Sequence, residues 1–260
     1  MNPEMSSRSS VRAVRETRAD GSRSLVHPEW RDRFPWLLQG TTTRGTGDQP
    51  FDLGLFSGGS PEAGVRDNWR ELITRTGADA AVHAPQVHGA EVRLHRAAGR
   101  GLTLVEPCDG HVTTERGVLL AVTTADCVPV FLVDRHERAV GVVHAGWRGA
   151  AAGVLESAFE LLERKVGVAA SDVHVHLGPA ICGACYEVGP EVFEALGRPV
   201  PEGPEPIDLR AVLAARAEGA GVPLDQVTTS EHCTLCRDDG LFSHRRGDKE
   251  RQVGFIGMRP

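Results

Sequence analysis

No uninterrupted apolar run approaches the ~18–20 residues that span a bilayer, which excludes a transmembrane helix. The N-terminus has no apolar stretch behind a basic start, so secretion by a signal peptide is not expected and the cytoplasm is the expected compartment. Lysine is nearly missing. It occurs only at Lys165 and Lys249, and arginine carries the remaining positive charge, spread along the chain without forming a patch. Acidic residues outnumber basic ones 35 to 29, for a formal net charge of −6. Such a chain lacks the cations that displace condensed counterions, so neither nucleic acid nor a membrane is an expected partner. Also absent are GxGxxG and GxxxxGK[ST], the loops that cradle phosphates, and GxSxG, the nucleophile elbow of α/β-hydrolases.

What is present suits a globular protein. The 260 residues are 40% hydrophobic and 25% charged, enough to bury a full core. Thirty Gly and 16 Pro punctuate the sequence, predicting short elements joined by tight turns. Residues 1–24 are Ser- and Arg-rich with little apolar content and predict a disordered tail; residues 25–260 have the texture of one domain without linker or repeat.

Spacing predicts a helix over 61–76, capped by Ser60 and stopped by Gly77, with Val65, Trp69, Leu72 and Ile73 on one face. A second is predicted over 150–165, with Val154, Ala158, Leu161 and Leu162 inward, and a third over 209–218. Short β-branched runs over 118–122, 128–133 and 139–143 predict strands. Val173, Val175 and Leu177 alternate with His174 and His176, predicting a half-exposed strand, and the Pro-rich stretch 199–206 reads as a surface loop. Strands outnumber helices and cluster before the second helix. That pattern predicts an α+β fold, a single domain with mixed β-sheets, in preference to a regular βαβ winding.

Three places carry reactive side chains where an element should end: Gln86-Val87-His88-Gly89, Thr123-Thr124-Ala125-Asp126-Cys127-Val128-Pro129 and His144-Ala145-Gly146-Trp147-Arg148-Gly149. Two His and one Cys from these places, if brought together, would make a zinc site with an open fourth position, the catalytic arrangement. No local spacing joins them, and a cysteine such as Cys127 between two buried strands is more often packing than ligand.

Cys182-x-x-Cys185 and Cys233-x-x-Cys236 carry the other metal signal. Paired CxxC motifs suggest structural zinc, yet 47 residues separate these, against ~15–20 in ribbon-type sites. The first pair also lies in a Gly- and Pro-rich run that reads as a shaped loop. His174 and His176 have a spacing that some zinc enzymes use, without an evident third ligand. His244 reads equally as a substrate contact and as a surface residue.

Gln86–Gly89, Thr124–Pro129, His144–Gly149, Gly178–Ile181 with Cys185–Gly189, and the closing Cys233-Thr234 and Phe242–Arg246 resemble the motifs of the laccase-domain family. That family was long labelled multicopper polyphenol oxidase and is now read as purine nucleoside phosphorylase/adenosine deaminase. The resemblance implies mixed sheets flanked by helices, similar to the cytotoxic necrotizing factor deamidases. It implies zinc held by His88, Cys127 and His144. It also implies phosphorolysis of adenosine, inosine, guanosine and methylthioadenosine to base and (methylthio)ribose-1-phosphate, with deamination of adenosine. One string departs from the family: an Asn-Leu-Gly followed by Gly-Asp is replaced by Phe51-Asp52-Leu53-Gly54-Leu55-Phe56-Ser57-Gly58-Gly59.

Deamination at such a site needs a carboxylate to shuttle protons, and Asp126, Asp109 and Glu187 are the candidates. For phosphate, Arg148 beside a helix N-terminus is the first candidate and Arg44 the second. Three other readings compete. Cys127 could be a thiolate nucleophile paired with a His in a metal-free amidase or deamidase. Copper could replace zinc in a polyphenol oxidase. The two CxxC pairs could instead make a zinc-stabilised interaction module.

Overall fold

Val128–Asp134 and Gln252–Met258 are buried at every position, so each must lie between two other layers. The computed structural model describes residues 11–19, 23–47, 49–96, 99–237 and 239–260. Among them the strands form two seven-stranded mixed sheets. Sheet I runs in spatial order β1 (Arg12–Val14), β15 (Val227–Ser230), β12 (Val173–Leu177), β10 (Val128–Asp134), β11 (Val140–Ala145), β8 (Gly110–Thr113) and β6 (Val92–His95). Sheet II runs β2 (Thr17–Arg18), β3 (Ser24–Val26), β4 (Leu37–Thr42), β16 (Gln252–Met258), β9 (Val118–Thr124), β5 (Ala80–His83) and β7 (Gly101–Leu104). A short antiparallel pair, β13 (Glu187–Val188) and β14 (Glu205–Pro206), stands apart.

The sheets face each other. Leu120, Val122 and Ile256 of sheet II meet Phe131, Val133, Val140 and Val142 of sheet I, and Trp30 and Phe34 of α1 (Pro28–Arg33) close one end. Helix α2 (Glu62–Thr76) covers the outer face of sheet II with Val65, Trp69, Leu72 and Ile73. Helices α3 (Trp147–Ala152), α4 (Val154–Val166) and α6 (Leu209–Gly219) cover sheet I, while α5 (Pro190–Ala195) packs beside them. The result is a mixed-sheet α+β fold in four layers. Burial of an aromatic such as Trp69 removes about 150–250 Å² from water, worth several kcal/mol at about 25 cal/mol per Å².

Four local expectations need correction. The expected tail contributes strands: β1 pairs in parallel with β15, and β2 pairs with β3. Glu16 between them is buried, its carboxylate accepting from His176 Nε2 and Ser230 Oγ, each at 2.8 Å. Residues 1–10 and 20–22 of that tail lie outside the described ones. Second, His174 and His176 are not on a water-facing side; Trp30, Phe34, Phe131 and Glu16 cover them. Third, the helix over 150–165 is broken at Gly153, whose φ of +85° ends α3 and begins α4. Finally, Ser60 does not cap α2: Pro61 takes the cap position, and the Ser60 N–H donates to Asp52 instead.

Candidate active site and metal centre

Strand β9 ends in sheet II and β10 begins in sheet I, so Ala125, Asp126 and Cys127 cross from one sheet to the other. Asp126 makes that crossing at a φ of +89°. Pairing of Val128 with Ala145 and of Pro129 with His144 sets Cys127 against the end of β11, beside Gly146. His88 comes from the loop after β5 and also has a positive φ, +58°. Two of the three non-glycine residues with positive φ among those described therefore shape this one place, where strained backbone is tolerated for what it positions.

The donor atoms of His88, Cys127 and His144 lie within 4.8 Å of one another. Their rings and sulfur surround a space kept clear by Gly146. A Cβ there would stand 3.0 Å from Cys127 Sγ and 3.1 Å from His88 Cδ2. Asp109 organises the whole group. Its buried carboxylate accepts from the backbone N–H groups of Val87, His88 and Gly89 at 3.1, 2.9 and 2.8 Å. It also accepts from Nδ1 of His144 at 2.9 Å, which leaves Nε2 of His144 for Cys127.

The charges are mutually supporting. Burial alone would push the Cys127 thiol up, but His144 and His88 outweigh it and bring the thiol down to about 6. Burial likewise opposes the His144 imidazolium, but Cys127 and Asp109 raise it to about 9. Burial would raise the Asp109 carboxyl, and the hydrogen bonds from His144 and the 87–89 backbone hold it below its ordinary value. Two imidazoles and a readily ionised thiol match the donor set that zinc and copper favour, and three protein ligands leave a position open.

A cleft of about 320 Å³ opens over these residues, lined also by Phe56, Gln86, Thr123, His244 and Arg251. Gln86 ties the His88 loop to β9: its Oε1 accepts from the N–H and hydroxyl of Thr123, both at 2.7 Å, and its Nε2 donates to the Thr123 carbonyl. Phe56 is 58% exposed at the mouth and stacks on His83 at 5.8 Å. The segment 51–59, which departs from the family string, forms this rim. Buried Asp52 builds it by accepting from the N–H groups of Gly54, Ser60 and Arg251.

The other expected residues fall differently. Asp126 is buried with both carboxylate oxygens engaged, one by the Thr234 hydroxyl and one by the Arg245 N–H. Glu187 is exposed on β13 and receives Arg245 at its carbonyl. Arg44 pairs with Asp248 and lies over the Phe242 ring. Arg148 is exposed and stacks on Trp147 at 4.3 Å. None of these four lines the cleft. Arg251 and Phe56 were missed: neither stands in a reactive string, and Arg251 reaches the cleft only because β16 pairs with β9.

A family model described as multi-copper polyphenol oxidoreductase laccase matches residues 39–259. The purine nucleoside phosphorylase YlmD of Geobacillus stearothermophilus is 36% identical over 253 residues, covering 87% of this chain and 92% of that one. The crystal structure of YlmD from the same organism superposes with a TM-score of 0.87 at 32% identity, over 95% of this chain and all of that one. The adenosine deaminase RL5, from an unknown prokaryotic organism, is 35% identical over 65% of this chain and 70% of its own length. With the match spanning the sheets, the crossover and the closing segment, the chain belongs to the multi-copper polyphenol oxidoreductase laccase family.

Proposed function

We propose that the protein is a zinc-dependent purine nucleoside phosphorylase that also deaminates adenosine. The carrying observation is the cluster of His88, Cys127 and His144 within 4.8 Å beneath an open cleft. The activities named for the relatives YlmD and RL5 support the same chemistry. Zinc, when bound, supplies a Lewis acid and lowers the pKa of water to about 7. The remaining work falls to the chain. Asp109 fixes the tautomer and direction of His144, as a partner behind a metal-binding imidazole does. Phe56 offers an exposed ring face on which a purine stacks. Arg251 is the cation that lines the cleft, and it takes the phosphate; Arg148 and Arg44 lie outside the lining. With both oxygens of Asp126 engaged, His244 on the lining is the better-placed proton carrier for deamination.

The substrates in this reading are adenosine, inosine, guanosine and methylthioadenosine with phosphate, and the site of action is the cytoplasm. No helix among the described residues is long and apolar enough to cross a membrane. The oxidase reading needs several histidine pairs around copper. The chain's HxH pair, His174 and His176, packs against Phe34 and Trp30 and does not line the cleft.

The test is product analysis of adenosine with and without phosphate. Adenine and ribose-1-phosphate with phosphate, and inosine without it, are the expected products; neither product above background would overturn the reading. A metal-free Cys–His amidase is the second reading, favoured by His144 and His88 lowering the Cys127 thiol below its ordinary value. Iodoacetamide separates the two. A catalytic thiolate alkylates with or without chelator, whereas a ligand stays protected until zinc is removed.

A further inference from the structure

We propose that Cys182, Cys185, Cys233 and Cys236 hold a second, structural zinc ion, separate from the centre in the cleft. Their sulfur atoms lie within 4.8 Å of one another, with Cys182 and Cys236 at 3.9 Å. A tetrahedral zinc with Zn–S of about 2.3 Å places its sulfurs about 3.8 Å apart. The four-thiolate set is closed, so it leaves no position for a substrate. It is also soft, so it selects zinc over the hard cations.

The topology explains how motifs 47 residues apart come together. Strands β12 and β15 are parallel neighbours, so the segments that follow them leave sheet I at the same end. An isolated bridge from Ala180 to Cys233 continues the pairing beyond the strands. Each CxxC then makes a tight turn: Cys185 N–H donates to the Cys182 carbonyl at 2.9 Å, and Cys236 N–H points at Cys233 Sγ at 3.5 Å. Cys182 N–H donates to the same sulfur across the two segments at 3.3 Å. Such N–H···S bonds support thiolate charge and orient metal ligands.

The clamp sits behind the crossover that carries Cys127. Ile181, next to Cys182, donates its N–H to the Asp126 carbonyl at 3.1 Å, and Thr234, next to Cys233, donates its hydroxyl to the Asp126 carboxylate. Zinc binding there ties both segments to the residue preceding Cys127.

Metal analysis by mass spectrometry tests the assignment. Wild-type protein should hold two zinc ions per chain, Cys127→Ala one, and Cys127→Ala combined with Cys185→Ser and Cys236→Ser none. Because the serine variants can fail to fold, Cys127→Ala alone gives a second readout. Alkylation mapped by peptide should find the four cysteines protected until chelator is added, and chelation should lower the thermal midpoint. A zinc-free Cys127→Ala protein whose four cysteines alkylate at once would overturn the proposal. Iron in place of zinc, or disulfides among the four under non-reducing mapping, would overturn it as well.

Discussion

His144 donates from Nδ1 to Asp109 Oδ1 at 2.9 Å, and the same carboxylate collects three backbone N–H groups from the loop that carries His88. One buried acid therefore sets the direction of one imidazole and the position of another. Asp109→Asn keeps the size of the side chain but presents an amide to donors. The expected cost is roughly 10–100-fold in zinc affinity or activity, read by chelator competition and by kcat on adenosine. An unchanged zinc affinity would show that Asp109 plays no part in orienting His144 for metal.

Gly146 has an extended backbone, with φ −80° and ψ 171°, so alanine there brings no backbone strain. Its Cβ would nevertheless enter the space between Cys127 and His88. Gly146→Ala should purify with the zinc of the cleft lost and its circular dichroism unchanged. Full retention of that zinc would show that the cluster is wider than its donor distances indicate.

Glu16 gives the stability a pH dependence. Burial would raise its carboxyl, but the hydrogen bond and charge of His176 outweigh burial and hold it below its ordinary value. A depressed folded-state pKa contributes stability above the unfolded carboxylate value and loses it as pH falls through the folded one. Wild-type melting temperature should therefore fall on acidification below about pH 5. Glu16→Gln should be about 1–3 kcal/mol less stable at neutral pH, with a shallower acid limb. Equal acid limbs in the two proteins would contradict the assignment.

Arg251 lines the cleft, whereas Arg148 is exposed over Trp147. Arg251→Ala should raise the KM for phosphate by about tenfold or more, a loss of about 1.4 kcal/mol, while phosphate-free deamination changes little. Arg148→Ala should do less. Steady-state kinetics in phosphate decide between them, and the reverse order would return the phosphate to Arg148.

The legible parts of the sequence were those where a local pattern carries the physics. Val65, Trp69, Leu72 and Ile73 recur at helical spacing, and α2 buries those residues. The strands of 118–122, 128–133 and 139–143 are apolar enough to announce themselves. His174 and His176 misled because alternation reports only polarity, and the cover over them comes from α1 and Glu16, far away in the chain. The tail misled for a related reason: Arg12–Val14 has no core of its own and is held by the edge of β15. The convergence of His88, Cys127 and His144 depends on a chain crossing between sheets, which no spacing rule contains. The 47 residues between the two CxxC pairs argue against one site, and parallel pairing of β12 with β15 cancels that separation.

In the proposed function one centre, built from His88, Cys127 and His144, carries both reactions. Its most direct test measures phosphorolysis and deamination of adenosine side by side in wild-type protein and in His88→Ala, Cys127→Ala and His144→Ala, each checked for folding by circular dichroism. Both activities should collapse together in all three variants. Either activity persisting at its wild-type rate in folded Cys127→Ala would contradict it.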